Sequence, residues 1–315
     1  LYVGNYVGRI VRYTVVKNGN NYTATNEEII DLVLNIPNHN DDLSTYTHYQ
    51  IRQVTGILVM GTAQNPVIYV TSSDPRVGGG GTAGDVNLDT NSGIVSRLTW
   101  NGSSWEKVDL VRGFPRSEEN HSVNGMQYDE NTNTLYVAVG GNTNAGAPSN
   151  NFAYLTEYAY STAIVSIDMN VINSLPVRGS GDNKYVYDLP TLNDPTRNDI
   201  ANPDYNPSLP GSPQTIDVGD PFGGNDGKNQ AKLVPDGPVQ IYSPGYRYIY
   251  DILITKTPGR EGRMYTIDNG ANGGWGGYPK NRNSSSITNE YRAGEPGSTS
   301  ADGSIAVVNN LDNMH

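Results

Sequence analysis

The feature that most restricts the fold of this chain is a spaced repetition. A block made of an apolar residue, a tyrosine and a Val or Thr occurs as Leu1-Tyr2-Val3, Ile68-Tyr69-Val70, Leu135-Tyr136-Val137 and Met264-Tyr265-Thr266. The tyrosines are 67, 67 and 129 residues apart. The last gap is close to twice the others, which predicts a copy that has diverged or been buried in an insertion. A second apolar block follows each of the first after a variable stretch, at Gly8–Tyr13, Gly93–Leu98, Ala163–Asp168 and Gly303–Val308. Each reads as a strand. Asn18-Gly19 and Asn101-Gly102 follow two of them, and Asn-Gly tolerates the positive φ that a two-residue hairpin turn requires.

Several short strands per period of about 65 residues, joined by long Gly, Asn and Pro loops, match a blade of a β-propeller. The alternative is a set of unrelated hairpins in a sandwich. A closed six-bladed ring with such loops needs on the order of 400 residues, and the chain has 315. The expectation is therefore an all-β chain, a six-bladed β-propeller of which about five blades are present, with residues 1–315 forming one domain. The start at Leu1 without a leader and the end at His315 without a closing strand fit a piece of a longer multidomain chain. Residues 185–239, rich in Pro, Asn and Asp, read as one long loop insertion, a length usually tied to function or to bound ions.

Composition agrees with this picture. Gly 36, Pro 19 and Asn 37 supply turns, while Tyr 22 and the β-branched residues supply a core. A net charge of −11 repels phosphate backbones and speaks against nucleic-acid partners. The longest aliphatic run, Ile57 to Met60, is too short for a membrane helix. No cysteine is present, so disulfides, thiolate metal sites and a cysteine nucleophile are excluded.

Two segments carry oxygen side chains at spacings suited to calcium, which takes six to eight oxygen ligands. They are Asp85, Asn87, Asp89 and Asn91 in one loop, and Asp217, Asp220, Asn225 and Asp226 in another. The alternative for the first is a loop stabilised by Asx turns of its own side chains. Trp275, set among glycines and followed by Tyr278, forms an aromatic platform of the kind on which sugar rings stack, or a rim aromatic packed under a loop. The glycine runs 78–81 and 273–277 open no helix with a Lys and make poor phosphate cradles.

Three segments resemble the soluble quinoprotein glucose dehydrogenase and sorbosone dehydrogenase family. They are Gly113–Asp129 with the following Thr134–Gly141, then Gly237–Arg247, then Gly262–Asn272. The resemblance implies a six-bladed propeller holding pyrroloquinoline quinone (PQQ) and calcium. It places His121 at the general base, which takes a hydroxyl proton while hydride moves to the quinone, and Arg247 on the quinone carboxylates. Asn269 and Gly270 fall in the loop whose carbonyls hold calcium beside the cofactor. The chain departs from the family at Tyr248, Ile249 and Gly141, where the family carries Asn, Pro and an acidic residue. The runs around Arg76, Asn120-His121 and Trp275 resemble propeller segments of large secreted multidomain surface proteins of Bacteroidetes-type bacteria. That likeness implies an extracellular or cell-surface location, further modules in the same polypeptide, and a glycan or surface polymer as partner. Three functions follow as expectations: a recognition or adhesion module, a PQQ- and calcium-dependent sugar or alcohol dehydrogenase, and a structural spacer of a surface fibre.

Overall fold

Side chains alternate between the two faces of a strand, so the run Val67 to Val70 presents Ile68 and Val70 to one side and Tyr69 to the other. All three are buried, in two different apolar clusters. This strand is therefore covered on both faces. The computed structural model describes residues 1–5, 7–40, 44–48, 50–78, 86–143, 152–153, 155–191, 200–201, 207–208, 215–216, 230–270 and 313–314. Among them the fold is nearly all-β.

Among the described residues the strands form four larger sheets in succession and one two-stranded sheet. The first holds β1 (Tyr2–Gly4), β2 (Ile10–Asn18) and β3 (Asn21–Ile30). The second is an antiparallel meander of β4 (Gln53–Gly61), β5 (Pro66–Ser73), β6 (Gly93–Trp100) and β7 (Trp105–Phe114). The third begins with β8 (Val123–Asp129), β9 (Thr134–Val139) and β10 (Ala163–Asp168). The chain then leaves the sheet through helix α1 (Met169–Ser174), capped by Asp168, whose carboxylate accepts from the Asn170 and Val171 amides. It adds β11 (Tyr185–Asp188) in parallel to the edge of β7, and pairs β12 (Ile200–Ala201) with β13 (Thr215–Ile216). It returns as β14 (Val239–Pro244), the fourth strand of the third sheet. The last sheet is β15 (Ile249–Ile254), β16 (Met264–Asp268) and β17 (Asn313–Met314).

The sheets stack face to face. Ile10, Ile30, Val33 and Ile36 meet Ile68, Val70, Ile94 and Leu98 between the first two sheets. Val95, Leu110, Val111 and Phe114 meet Val123, Leu135, Val137 and Val165 between the second and third. Ala138 and Ile164 meet Ile249 and Ile252 between the third and fourth. Each Val, Leu, Ile or Phe side chain among them, fully buried, contributes roughly 1.5–3 kcal/mol. The leading strands β1, β4, β8 and β15 lie in series, each against the next. Glycine permits this approach. A Cβ on Gly4 would lie 3.0 Å from Val54 Cγ1, one on Gly56 2.9 Å from the Asn124 carbonyl carbon, and one on Gly125 2.8 Å from Asp251 Cα.

The structure refines the sequence expectations in three places. Tyr69, Tyr136 and Tyr265 fall on the second strand of successive sheets, whereas Tyr2 falls on the leading strand of the first, so that copy is one strand out of phase. The double gap before Tyr265 arises inside the third sheet, between β10 and β14, and this excursion starts at α1 rather than at Tyr185. Of the two Asn-Gly signals, the first marks a two-residue turn, displaced by one residue, and the second does not. Asn18 pairs with Asn21, so Gly19, with φ of 61°, is the first central residue. Trp100 pairs with Trp105, leaving a four-residue loop that Asn101 holds by accepting from the Ser103 and Ser104 amides.

Candidate functional site

The loop that leads into β8 is fixed by a buried arginine. Arg116 donates from Nε to the Asp74 carbonyl at 3.0 Å, from Nη2 to the Arg76 carbonyl at 2.6 Å, and from Nη1 to the Glu119 carbonyl at 3.0 Å. The loop thus pinned delivers His121, whose amide donates to Ser117 Oγ at 2.9 Å. Its Nδ1 lies 2.8 Å from the Gly141 carbonyl. A carbonyl only accepts, so Nδ1 carries the proton and Nε2 the lone pair. Tyr248 stacks on the imidazole at 4.2 Å with planes 19° apart, and Phe152 leans against it at 5.0 Å.

Residues from all three resembling segments meet here. The Gly141 amide donates to the Arg247 carbonyl at 3.0 Å, and Arg247 Nη1 donates to the Asn269 carbonyl at 3.4 Å. The Arg247 and Tyr248 amides both donate to the Asp268 carboxylate. Asn269 Nδ2 donates to the Tyr250 hydroxyl, and Gly270 follows at the end of this described stretch.

The three departures from the family pattern have packing reasons. Tyr248, besides stacking, donates from its hydroxyl to the Asn120 carbonyl at 3.1 Å. Ile249 is fully buried in the apolar cluster between the third and fourth sheets. A side chain on Gly141 would lie 2.5 Å from Thr162 Cγ2 and 2.9 Å from Glu157 Oε1. The acidic group beside this position is Glu157, which accepts from the Asn142 amide at 2.8 Å, from Ser161 Oγ at 2.7 Å and from the Thr143 hydroxyl. Sequence reasoning missed Glu157, because it reaches Gly141 from a different loop.

Burial, and then the Arg247 charge, push the His121 pKa down to about 3. An imidazole of that basicity is a weak proton acceptor at neutral pH, far from the match between pKa and working pH that general-base catalysis favours. Nor does the packing fit a flat quinone on this ring, since Tyr248 takes one face and Phe152 crowds the imidazole as well.

The calcium segments are only partly within the described residues. Asn87 is exposed with φ of 53°, while Asp89 and Asn91 are buried, so the alternating inward set is interrupted at Asn87. Asp89 Oδ1 accepts from the Asn91 amide at 2.8 Å, an Asx turn. Among the described residues no group of three or more His, Asp or Glu side chains is placed to hold a metal ion. Asp85, Asp217, Asp220, Asn225, Asp226, Trp275 and Tyr278 lie outside the described residues.

A second feature was not anticipated from the sequence. Arg76 is buried and paired with the fully buried Asp74 at 2.7 Å, and the Tyr46 ring lies 4.1 Å above its guanidinium. Tyr46 meets His48 edge to face at 5.2 Å. With Asn40, Thr45, Thr47 and Asn87 they line an open cleft of about 500 Å³. The signal that would have pointed to it is the alternation of hydroxyl and aromatic residues in Ser44-Thr45-Tyr46-Thr47-His48, a run too polar for a core strand. The chain matches no protein-family model, no curated protein and no solved structure.

Proposed function

We propose that this chain is a propeller-type recognition module for a glycan or other surface polymer rather than a dehydrogenase. The observation that carries the reading is the closed state of the His121 centre. A stacked, weakly basic imidazole joins the start of β8 to the Gly140-Gly141 segment and the Arg247 loop, and among the described residues Tyr248 and Phe152 pack against its ring. The propeller geometry is supported by the glycine-spaced series of leading strands and by the face-to-face order of the sheets. The outer faces of the first and last sheets carry exposed Val3, Ile29, Leu253 and Ile267, which fits a ring continued by further blades of the same kind. An extracellular or cell-surface location belongs to the same reading. No described helix is long and apolar enough to cross a membrane.

The second reading, a PQQ- and calcium-dependent dehydrogenase, draws on the meeting of His121, Arg247 and Asn269 in one place. Adding PQQ with calcium and following the quinone absorbance separates the two. The recognition reading expects no saturable uptake at micromolar PQQ and no aldose-dependent dye reduction. Uptake of one quinone per chain, with activity lost in His121→Ala, would overturn it.

A further inference from the structure

We propose that the cleft beside Tyr46 is a binding site for an uncharged, hydroxyl-rich ligand, a neutral saccharide by chemical class. This inference rests on the recognition reading and gives it a location. The guanidinium of Arg76 lines the cleft, and its five N–H groups are all committed. Nε and Nη2 donate to the two oxygens of Asp74 at 3.0 and 2.7 Å. Nη1 donates to Asn40 Oδ1 at 2.7 Å and to the Asn87 carbonyl at 3.3 Å, and the second Nη2 hydrogen goes to the His39 carbonyl. A uronate or sulfate is held most strongly by a pair of such donors, and Arg76 has none to give. Its charge is already matched by Asp74, and the Glu118 carboxylate, accepting from the Val86 amide at 2.9 Å, adds a negative charge behind the cleft wall. On a chain of net charge −11 this field disfavours anions.

What the cleft does offer is suited to sugar hydroxyls and to the apolar face of a pyranose ring. The Thr45 and Thr47 hydroxyls donate and accept, and His48 presents an exposed aromatic ring. The guanidinium below Tyr46 holds that ring in place by cation–π attraction, so the aromatic pair is preorganised. A volume of about 500 Å³ lies within the range of small-ligand sites, and its polar lining disfavours an apolar occupant.

The test is affinity electrophoresis of the whole chain in native gels containing a galactomannan, a mixed-linkage β-glucan or polygalacturonate. Retardation by a neutral polymer is expected, insensitive to added salt. It should weaken about tenfold in His48→Ala, the loss of one aromatic contact worth roughly 1–1.5 kcal/mol. Thr47→Val, a second exposed position, should weaken it as well, and thermal melting checks that both variants are folded. Retardation by polygalacturonate that fades with salt would overturn the ligand class. Neutral-polymer binding at full strength in both folded variants would move the site elsewhere while leaving the recognition reading standing. No retardation by any polymer would overturn both.

Discussion

His121 stands where the family resemblance implies a general base, and it is almost fully buried. Its burial carries a cost that depends on pH. The folded pKa of about 3 lies below the usual imidazole value of 6.5, so the unfolded chain binds a proton that the folded one refuses. The stability held by neutral His121 is therefore complete above pH 6.5 and is lost as pH falls toward 3, at up to about 1.4 kcal/mol per pH unit. Urea unfolding at neutral and acid pH should show this slope, and His121→Asn should flatten it while lowering stability at neutral pH. An unchanged slope in the variant would assign the acid sensitivity to other groups. Arg76 and Asp74 make the complementary case. Asp74→Asn should cost about 3–5 kcal/mol, because it strands a buried guanidinium, and a loss within 1 kcal/mol in the urea midpoint would count against the pairing.

At the scale of the element, the leading strands explain why glycines occur where they do. Gly125 stands in a strand otherwise well suited to side chains, and nothing local asks for it. The reason lies across the interface, where Asp251 of β15 comes close enough to exclude a Cβ. Gly125→Ala should destabilise by about 1–3 kcal/mol through overpacking. Gly102→Ala, at a loop position with open space around its Cβ, tests backbone strain alone and should cost less. Thermal melts of the two variants check the order, and an equal loss would deny the close approach. Strand pairing also sets the turns. Asn101 uses its side chain to hold a longer loop, a choice that pairing of Trp100 with Trp105 enforces from outside the Asn-Gly dipeptide.

At the scale of the whole molecule, burial is uneven. The second sheet is covered on both faces, whereas the outer half of the β2–β3 hairpin, from Val15 to Tyr22, is exposed. Hydrogen exchange should therefore be slowest in β5 and β6 and faster by orders of magnitude at that hairpin tip. Uniform protection would contradict the stacked arrangement. The all-β class and many of the described strand positions were legible in the sequence, because alternation and turn residues act within a few residues of one another, whereas the expected strand at Gly303–Val308 lies outside the described residues. The convergence of His121, Arg247 and Asn269 was anticipated through a family resemblance, and the cleft at Tyr46 was not anticipated at all. Sequence by itself determined where Tyr69, Tyr136 and Tyr265 sit on their strands and which residues are apolar enough to bury. Only the tertiary structure decided that the excursion after β10 lends β11 to a different sheet, that Tyr248 closes over His121, and that the Arg76 donors are all spent. Those outcomes depend on contacts between residues far apart in the chain, whose distances and solvent exclusion no local pattern encodes.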